Sequence, residues 1–227
     1  MTTPSPTTNS PFAASKLANL REVGGPSFQD GRRRRIYRAN TEPVEPTVYP
    51  VDLAAVLDLR RDDEVERVPH PLTGIEGYRR VPLFDPSSRL ESAEDAIQLD
   101  EQYIDWLDRH RATIAIVFRT LAQFDGDALV CCSAGKDRTG VVSALLARLW
   151  GADLELIGAD YAITRELLAE QFAASLAASS DPELTKINQR CLPEVMITVI
   201  EHVESRYGSV ADYLITIGLT TDEIAAL

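Results

Sequence analysis

Apolar positions in this chain follow two regimes. Ahead of residue 100 they come in short clusters at Ile36–Arg38, Ala54–Leu59 and Tyr78–Leu83, and the same pattern returns at Ala128–Cys132. Clusters of that length predict strands, and the near-continuous runs Ala54–Leu59 and Ala128–Cys132 predict parallel strands buried on both faces. From Glu101 to Phe124 the spacing is helical, through Tyr103, Ile104, Leu107, Ile114, Ile116, Val117 and Leu121. Helix is predicted again from about Thr139 to Leu149, stopped at Gly151. Beyond Leu154 the pattern is helical almost throughout, with breaks near Ser180-Asp181-Pro182, Leu192-Pro193, Gly208 and Gly218. Strands first and helices later predict an α/β fold, a central mostly parallel sheet flanked by helices with a helical C-terminal half. No internal repeat is visible.

Around that frame lie polar stretches. Residues 1–15, rich in Thr, Pro and Ser, read as a disordered tail ahead of one domain spanning 16–227. The basic run Gly31–Arg35 reads as one arm of a solvated hairpin rather than a binding patch. The segment from Asp85 to about Asp100, with Pro86-Ser87-Ser88, reads as a surface loop.

Chemistry concentrates at Cys132-Ser133-Ala134-Gly135-Lys136-Asp137-Arg138-Thr139-Gly140, between a strand and a helix. A loop closing onto a helix N-terminus aims backbone N–H groups at one point, where the helix dipole adds positive character. Gly135 permits the tight curl. Arg138 offers a planar fork for two phosphate oxygens, which a lysine would not. A cysteine in such a field ionises readily and can attack phosphorus. The Thr139 hydroxyl is placed to hydrogen-bond the sulfur as it leaves. The expected phosphate site is therefore Ser133, Ala134, Gly135, Lys136, Asp137 and Arg138 around Cys132. Lys136 either meets a second acidic group on the substrate or sits solvated on the rim.

These residues resemble the signature loop of the cysteine-dependent protein tyrosine phosphatases. The AGKDRTG form is similar to bacterial tyrosine and dual-specificity phosphatases, some of which act on phosphoinositides. Further segments match that family in order: Asn19–Gly25, Ile36–Asn40, Val56–Arg60 followed by Glu64, Asp160-Tyr161, and Tyr207–Ser209 with Tyr213-Leu214. The resemblance covers about residues 19 to 227. It implies a protein tyrosine phosphatase-like fold, a phosphocysteine intermediate and Asp137 as general acid. Asp85, on a proline-flanked loop, resembles the acid loop of the wider tyrosine phosphatases and is the competing acid. In relatives, helices after the loop form a lid, which would fall within Leu154–Ala178. One departure stands out: the family usually has His before the nucleophile, where this chain has Cys131. Cys131 is either a buried core residue or a partner for a strained vicinal disulfide with Cys132.

Composition narrows the rest. Three cysteines make no disulfide framework, and no apolar run approaches a bilayer span. A soluble cytoplasmic protein is expected, without stable membrane association. The net charge of −12 argues against nucleic acid as a partner. His70, His110 and His202 are scattered without ligand spacing, so neither metal nor other cofactor is expected. Asp58 and Arg60, at a strand's C-terminal end, either shape the pocket floor or pair with each other, and Tyr103 either lines the pocket mouth or packs in the core. The expected activity is phosphomonoester hydrolysis on a phosphotyrosine protein. A small-molecule phosphatase acting on a nucleotide, sugar or inositol phosphate is the main rival, with a wide basic pocket as its mark. A phosphate-binding module without catalysis, and sulfur transfer or arsenate reduction, are further readings that Cys132, Arg138 and Thr139 together fit less well.

Overall fold

In the computed structural model, residues 17–24, 34–41, 52–83 and 98–227 are described. The expected tail (1–15), most of the basic run and the Asp85 loop lie outside them. Among the described residues five strands form one sheet: β1 (Arg21–Glu22), β2 (Ile36–Ala39), β3 (Ala55–Asp58), β4 (Tyr78–Arg80) and β5 (Ala128–Cys131). Their order is β1-β2-β5-β3-β4, with β1 antiparallel to β2 and every other pair parallel. β5 is central. Ala39 on β2 and Asp58 on β3 both register with Cys131, so three strands end level and the chain leaves β5 at the carboxyl edge of the sheet. Ligands bind at that edge in open α/β sheets.

Side-chain alternation divides the sheet between two cores. Ile36, Leu57, Ala128 and Val130 join the larger core under the helices, while Tyr37, Ala39, Val56, Leu129 and Cys131 join a smaller one with Leu17 and Leu20. Cys132 belongs to the larger core and Cys131 to the smaller. The adjacent thiols thus point to opposite faces, and all three cysteines are free. The core reading of Cys131 fits this placement and the vicinal pairing does not. Its Sγ lies 3.6 Å from the Leu57 carbonyl, and burial pushes its thiol well above the usual range.

The helices run α1 (Asp62–Arg67), α2 (Leu99–Arg109), α3 (Arg111–Ala122), α4 (Asp137–Leu149), α5 (Leu154–Ala162), α6 (Thr164–Leu167), α7 (Ala169–Ala177), α8 (Pro182–Asn188), α9 (Pro193–Tyr207), α10 (Val210–Thr216) and α11 (Thr221–Ala225). α4 is buried continuously from Thr139 to Ala147, as a helix enclosed on all sides must be. The stops at Gly151, Gly208 and Gly218 fall where φ is positive, at 93°, 95° and 107°.

Two sequence expectations change and one element is added. The single helix expected over Glu101–Phe124 is two, broken at His110. The Tyr213 hydroxyl donates to the Leu107 carbonyl, the acceptor that Arg111 would use in a continuous helix. Arg34 is buried, not solvated: its guanidinium bonds the carbonyls of Leu121 (2.7 Å) and Phe124, capping the C-terminal end of α3. Finally, β1 is a strand that two residues of alternation could not announce. No described helix is long and apolar enough to cross a membrane.

Candidate active site

The Cys132–Lys136 loop joins β5 to α4, and the end of β2 holds it in place. Gly135 has φ of 65°, and a Cβ there would fall 2.4 Å from the backbone carbonyl of Ala39. Only glycine fits so close an approach. Asn19 Nδ2 donates to the carbonyls of Ala134 (2.9 Å) and Gly135 (3.0 Å). Arg38 Nη2 donates to Gly135 O at 2.9 Å, and Thr41 N to Ser133 O at 3.2 Å. There are no cis peptides among the described residues, so each N–H points opposite its carbonyl. With the carbonyls of Ser133, Ala134 and Gly135 turned out to these donors, the N–H groups of Ala134, Gly135 and Lys136 turn the other way. They donate to no group of the described residues.

The props are themselves fixed. Asp160 on α5 pairs with Arg21 (2.7 Å) and Arg38 (2.6 Å). Burial opposes its charge, yet the two arginines win and hold its carboxyl below the usual range.

On the other side of the loop, Glu64 on α1 takes Arg138 end-on, from Nη1 at 2.6 Å and Nη2 at 2.7 Å, and accepts from Ser133 Oγ at 2.6 Å. Burial works against the Glu64 carboxylate, but Arg138 and Ser133 outweigh it and lower its pKa to about 2. Arg138 Nη1 also reaches the Leu59 carbonyl at 3.4 Å. Its Nε–H and second Nη2–H, the side-on fork, meet no acceptor among the described residues. Cys132 is 1% exposed.

The remaining loop residues form a second polar cluster. Lys136 is 2% exposed, so it is not a solvated rim residue. Its ammonium lies 2.5 Å from Asp137 Oδ1, 3.4 Å from Tyr103 Oη, 3.3 Å from Tyr161 Oη and 3.4 Å from the Arg190 carbonyl. Burial disfavours the charge, but Asp137 and Tyr161 more than compensate and raise the pKa. The substrate-facing role expected of the Lys136 ammonium does not fit this placement. Tyr103 follows its core reading: the ring is fully buried, and its hydroxyl bonds Asp137 Oδ1.

Cys132, the loop, Asp137, Arg138 and Thr139 therefore come together. The bond expected from Thr139 to the sulfur is not made, since its buried Oγ1 has no partner among the described residues. Asp58 is fully buried, and its oxygens are taken by Arg60 (2.8 Å to Nη2) and Tyr78 (2.9 Å). It closes a pair with Arg60, as one reading had it, and does not face substrate. Asp85 lies outside the described residues. Sequence reasoning assigned no role to Asn19, Arg38, Glu64 or Asp160, although each sits in a segment that carried the family resemblance. Tyr161 as a loop contact was also missed. Among the described residues no group of three or more His, Cys, Asp or Glu side chains is placed to hold a metal.

The model of a family described as the tyrosine phosphatase family matches residues 12–227. A tyrosine-protein phosphatase of Nostoc commune is 31% identical over 188 residues, covering 75% of this chain and 63% of that protein. The chain thus spans less than two thirds of that relative's length. The triple specificity protein phosphatase PtpB of Mycobacterium tuberculosis is 26% identical over 231 residues, 89% of this chain and 80% of that one.

Proposed function

The chain belongs to the tyrosine phosphatase family, and from that premise we propose that it hydrolyses phosphomonoesters through a cysteine nucleophile. The observation that carries the reading is the set of unpaired donors around Cys132. The N–H groups of Ala134, Gly135 and Lys136 and the open fork of Arg138 leave a ready place for three phosphate oxygens. These donors neutralise charge as it builds on the transferring group.

In the first step Cys132 Sγ, as thiolate, forms a bond to phosphorus while the bond to the leaving oxygen breaks. Asp137 gives its proton to that oxygen, so an alcohol or phenol departs. In the second step water attacks phosphorus, Asp137 takes its proton, the sulfur–phosphorus bond breaks and inorganic phosphate leaves. The α4 N-terminus and Arg138 stabilise the departing thiolate. Glu64 holds Arg138 end-on, which presents the side-on fork to the phosphate.

Rapid acid quench of an aryl phosphate reaction tests this. Phosphate trapped on Cys132 in the wild type, and loss of turnover in Cys132→Ser, are the expected results. Turnover that survives Cys132→Ser would sink the mechanism.

The leading substrate is a phosphotyrosine protein. One observation favours the small-molecule reading. A groove of about 410 Å³ is lined by Arg165, Lys186 and Arg190 beside Phe172 and Cys191, and the Arg190 carbonyl reaches Lys136 of the loop. Such a surface suits a small ester with a second anionic group. Comparing kcat/KM for phosphotyrosine peptides with nucleotide, sugar and inositol phosphates separates the two. A preference for the multiply charged esters that Arg165→Ala and Arg190→Ala abolish would establish the second reading.

A further inference from the structure

We propose that Tyr103 positions the general acid, fixing the Asp137 carboxyl so that its proton is carried on Oδ2 and presented to the leaving oxygen. This deepens the reading of Asp137 as the acid and rests on it.

The argument is one of donors and acceptors. Lys136 is a donor only, and its ammonium lies 2.5 Å from Asp137 Oδ1. Tyr103 Oη bonds the same Oδ1. The Tyr103 oxygen has Lys136 Nζ at 3.4 Å and Tyr161 Oη at 3.0 Å. With Lys136 donating to that oxygen and Tyr161 able to do so, the Tyr103 hydrogen is directed at Asp137. Two donors therefore converge on Oδ1, and a proton placed there would face them. Oδ2 has no partner among the described residues, so the acid proton belongs on it.

The cluster is built from separate elements, which gives it stiffness. Tyr103 comes from α2, Tyr161 from α5 and Lys136 and Asp137 from the start of α4; the Arg190 carbonyl lies just before α9. The rings of Tyr103 and Tyr161 meet edge-on with centroids 6.4 Å apart, and both residues are fully buried. Asp137 is partly open, with 31% of its side chain exposed, while Lys136 beside it is 3% exposed. One edge of the carboxyl is thus anchored inward while the other is open. Holding an acid in one orientation raises the fraction of bound complexes ready to react.

Tyr103 touches no reacting atom in this scheme, so its test must separate positioning from general damage. Protonation of the leaving group matters most when that group is a poor one. We therefore compare phenyl phosphate with p-nitrophenyl phosphate in Tyr103→Phe, Tyr161→Phe and Asp137→Asn. Tyr103→Phe is expected to lower kcat on phenyl phosphate about tenfold and on p-nitrophenyl phosphate less than about twofold. Tyr161→Phe should follow in the same direction with a smaller change, and it serves as the second variant if Tyr103→Phe folds poorly. Asp137→Asn should show the same selectivity with a loss on phenyl phosphate of about 100-fold. An unselective loss, or none, in the tyrosine variants while Asp137→Asn remains selective would overturn the positioning role alone. An unselective Asp137→Asn would overturn the acid assignment and this inference with it.

Discussion

Two arginines stand at the carboxyl edge of this sheet, one paired with Asp58 at the end of β3 and the other with Glu64 on α1. Arg60 turns its side-on fork, Nε and Nη2, onto Asp58, and its Nη1 caps the Val68 carbonyl at 2.8 Å. The side chains of that pair are 1% and 0% exposed. Arg138 instead gives Glu64 its end-on pair, Nη1 and Nη2, and keeps the fork open, with exposures of 13% and 9%. The same chemistry therefore serves two ends. A guanidinium with all its edges used fastens the chain, whereas one held by its tip remains able to grip two further oxygens. Which edge is occupied separates an arginine with its fork closed from one still open to an oxyanion.

That contrast is testable, and the sharpest break comes first. Arg138→Lys removes the fork and is expected to lower kcat/KM about 1,000-fold with the folded state intact, measured by steady-state kinetics beside thermal melting. Arg60→Met should do the reverse. Leaving Asp58 buried and uncompensated is expected to cost about 3 kcal/mol in urea unfolding, with kcat per folded molecule close to wild type. If both variants lost activity equally, the distinction by occupied edge would be wrong. Gly135→Ala places a Cβ against the Ala39 backbone and should misplace the loop, lowering kcat/KM about 100-fold.

Glu64→Gln keeps the shape but removes the charge that aligns Arg138, for an expected loss of about tenfold in kcat/KM. Its pH signature has a definite sign. The folded pKa of Glu64 is about 2, below the ordinary 4.5, so as pH falls the unfolded chain takes up the proton first. The stabilisation is complete above about pH 4.5 and drains away as pH falls toward 2. Denaturant titrations across that window should show a shallower loss of stability in Glu64→Gln than in wild type. An unchanged slope would mean that the Arg138–Glu64 pair contributes nothing to acid sensitivity.

How much of this was legible beforehand depends on sequence distance. The loop itself could be read because its determinants are neighbours: Cys132, Gly135, Arg138 and Thr139 fall within eight residues. Its props could not, because Asn19, Arg38 and Glu64 lie 69 to 116 residues away from the groups they hold. The family resemblance marked those segments without revealing what the side chains touch. Lys136 shows the limit most clearly. Lysine at a loop is ordinarily solvated, and only the meeting of α2 and α5 closes two tyrosines over it. The break at His110 carries no Gly or Pro and follows from a hydroxyl on α10. By contrast, the opposed directions of Cys131 and Cys132 follow from strand alternation and were open to inference from the start.

The long reach of those props has a consequence for how the loop is assembled. Arg21 and Asp160, which brace the loop's support, are 139 residues apart, so the site is closed by contacts spanning most of the chain. Contacts of that separation are slow to form, because the entropy of closing the intervening loop must be met before they reward it. On dilution from denaturant, helical ellipticity should return ahead of phosphate turnover. A nascent chain that has just exposed Cys132 should likewise lack the braced loop until residue 160 has joined the fold.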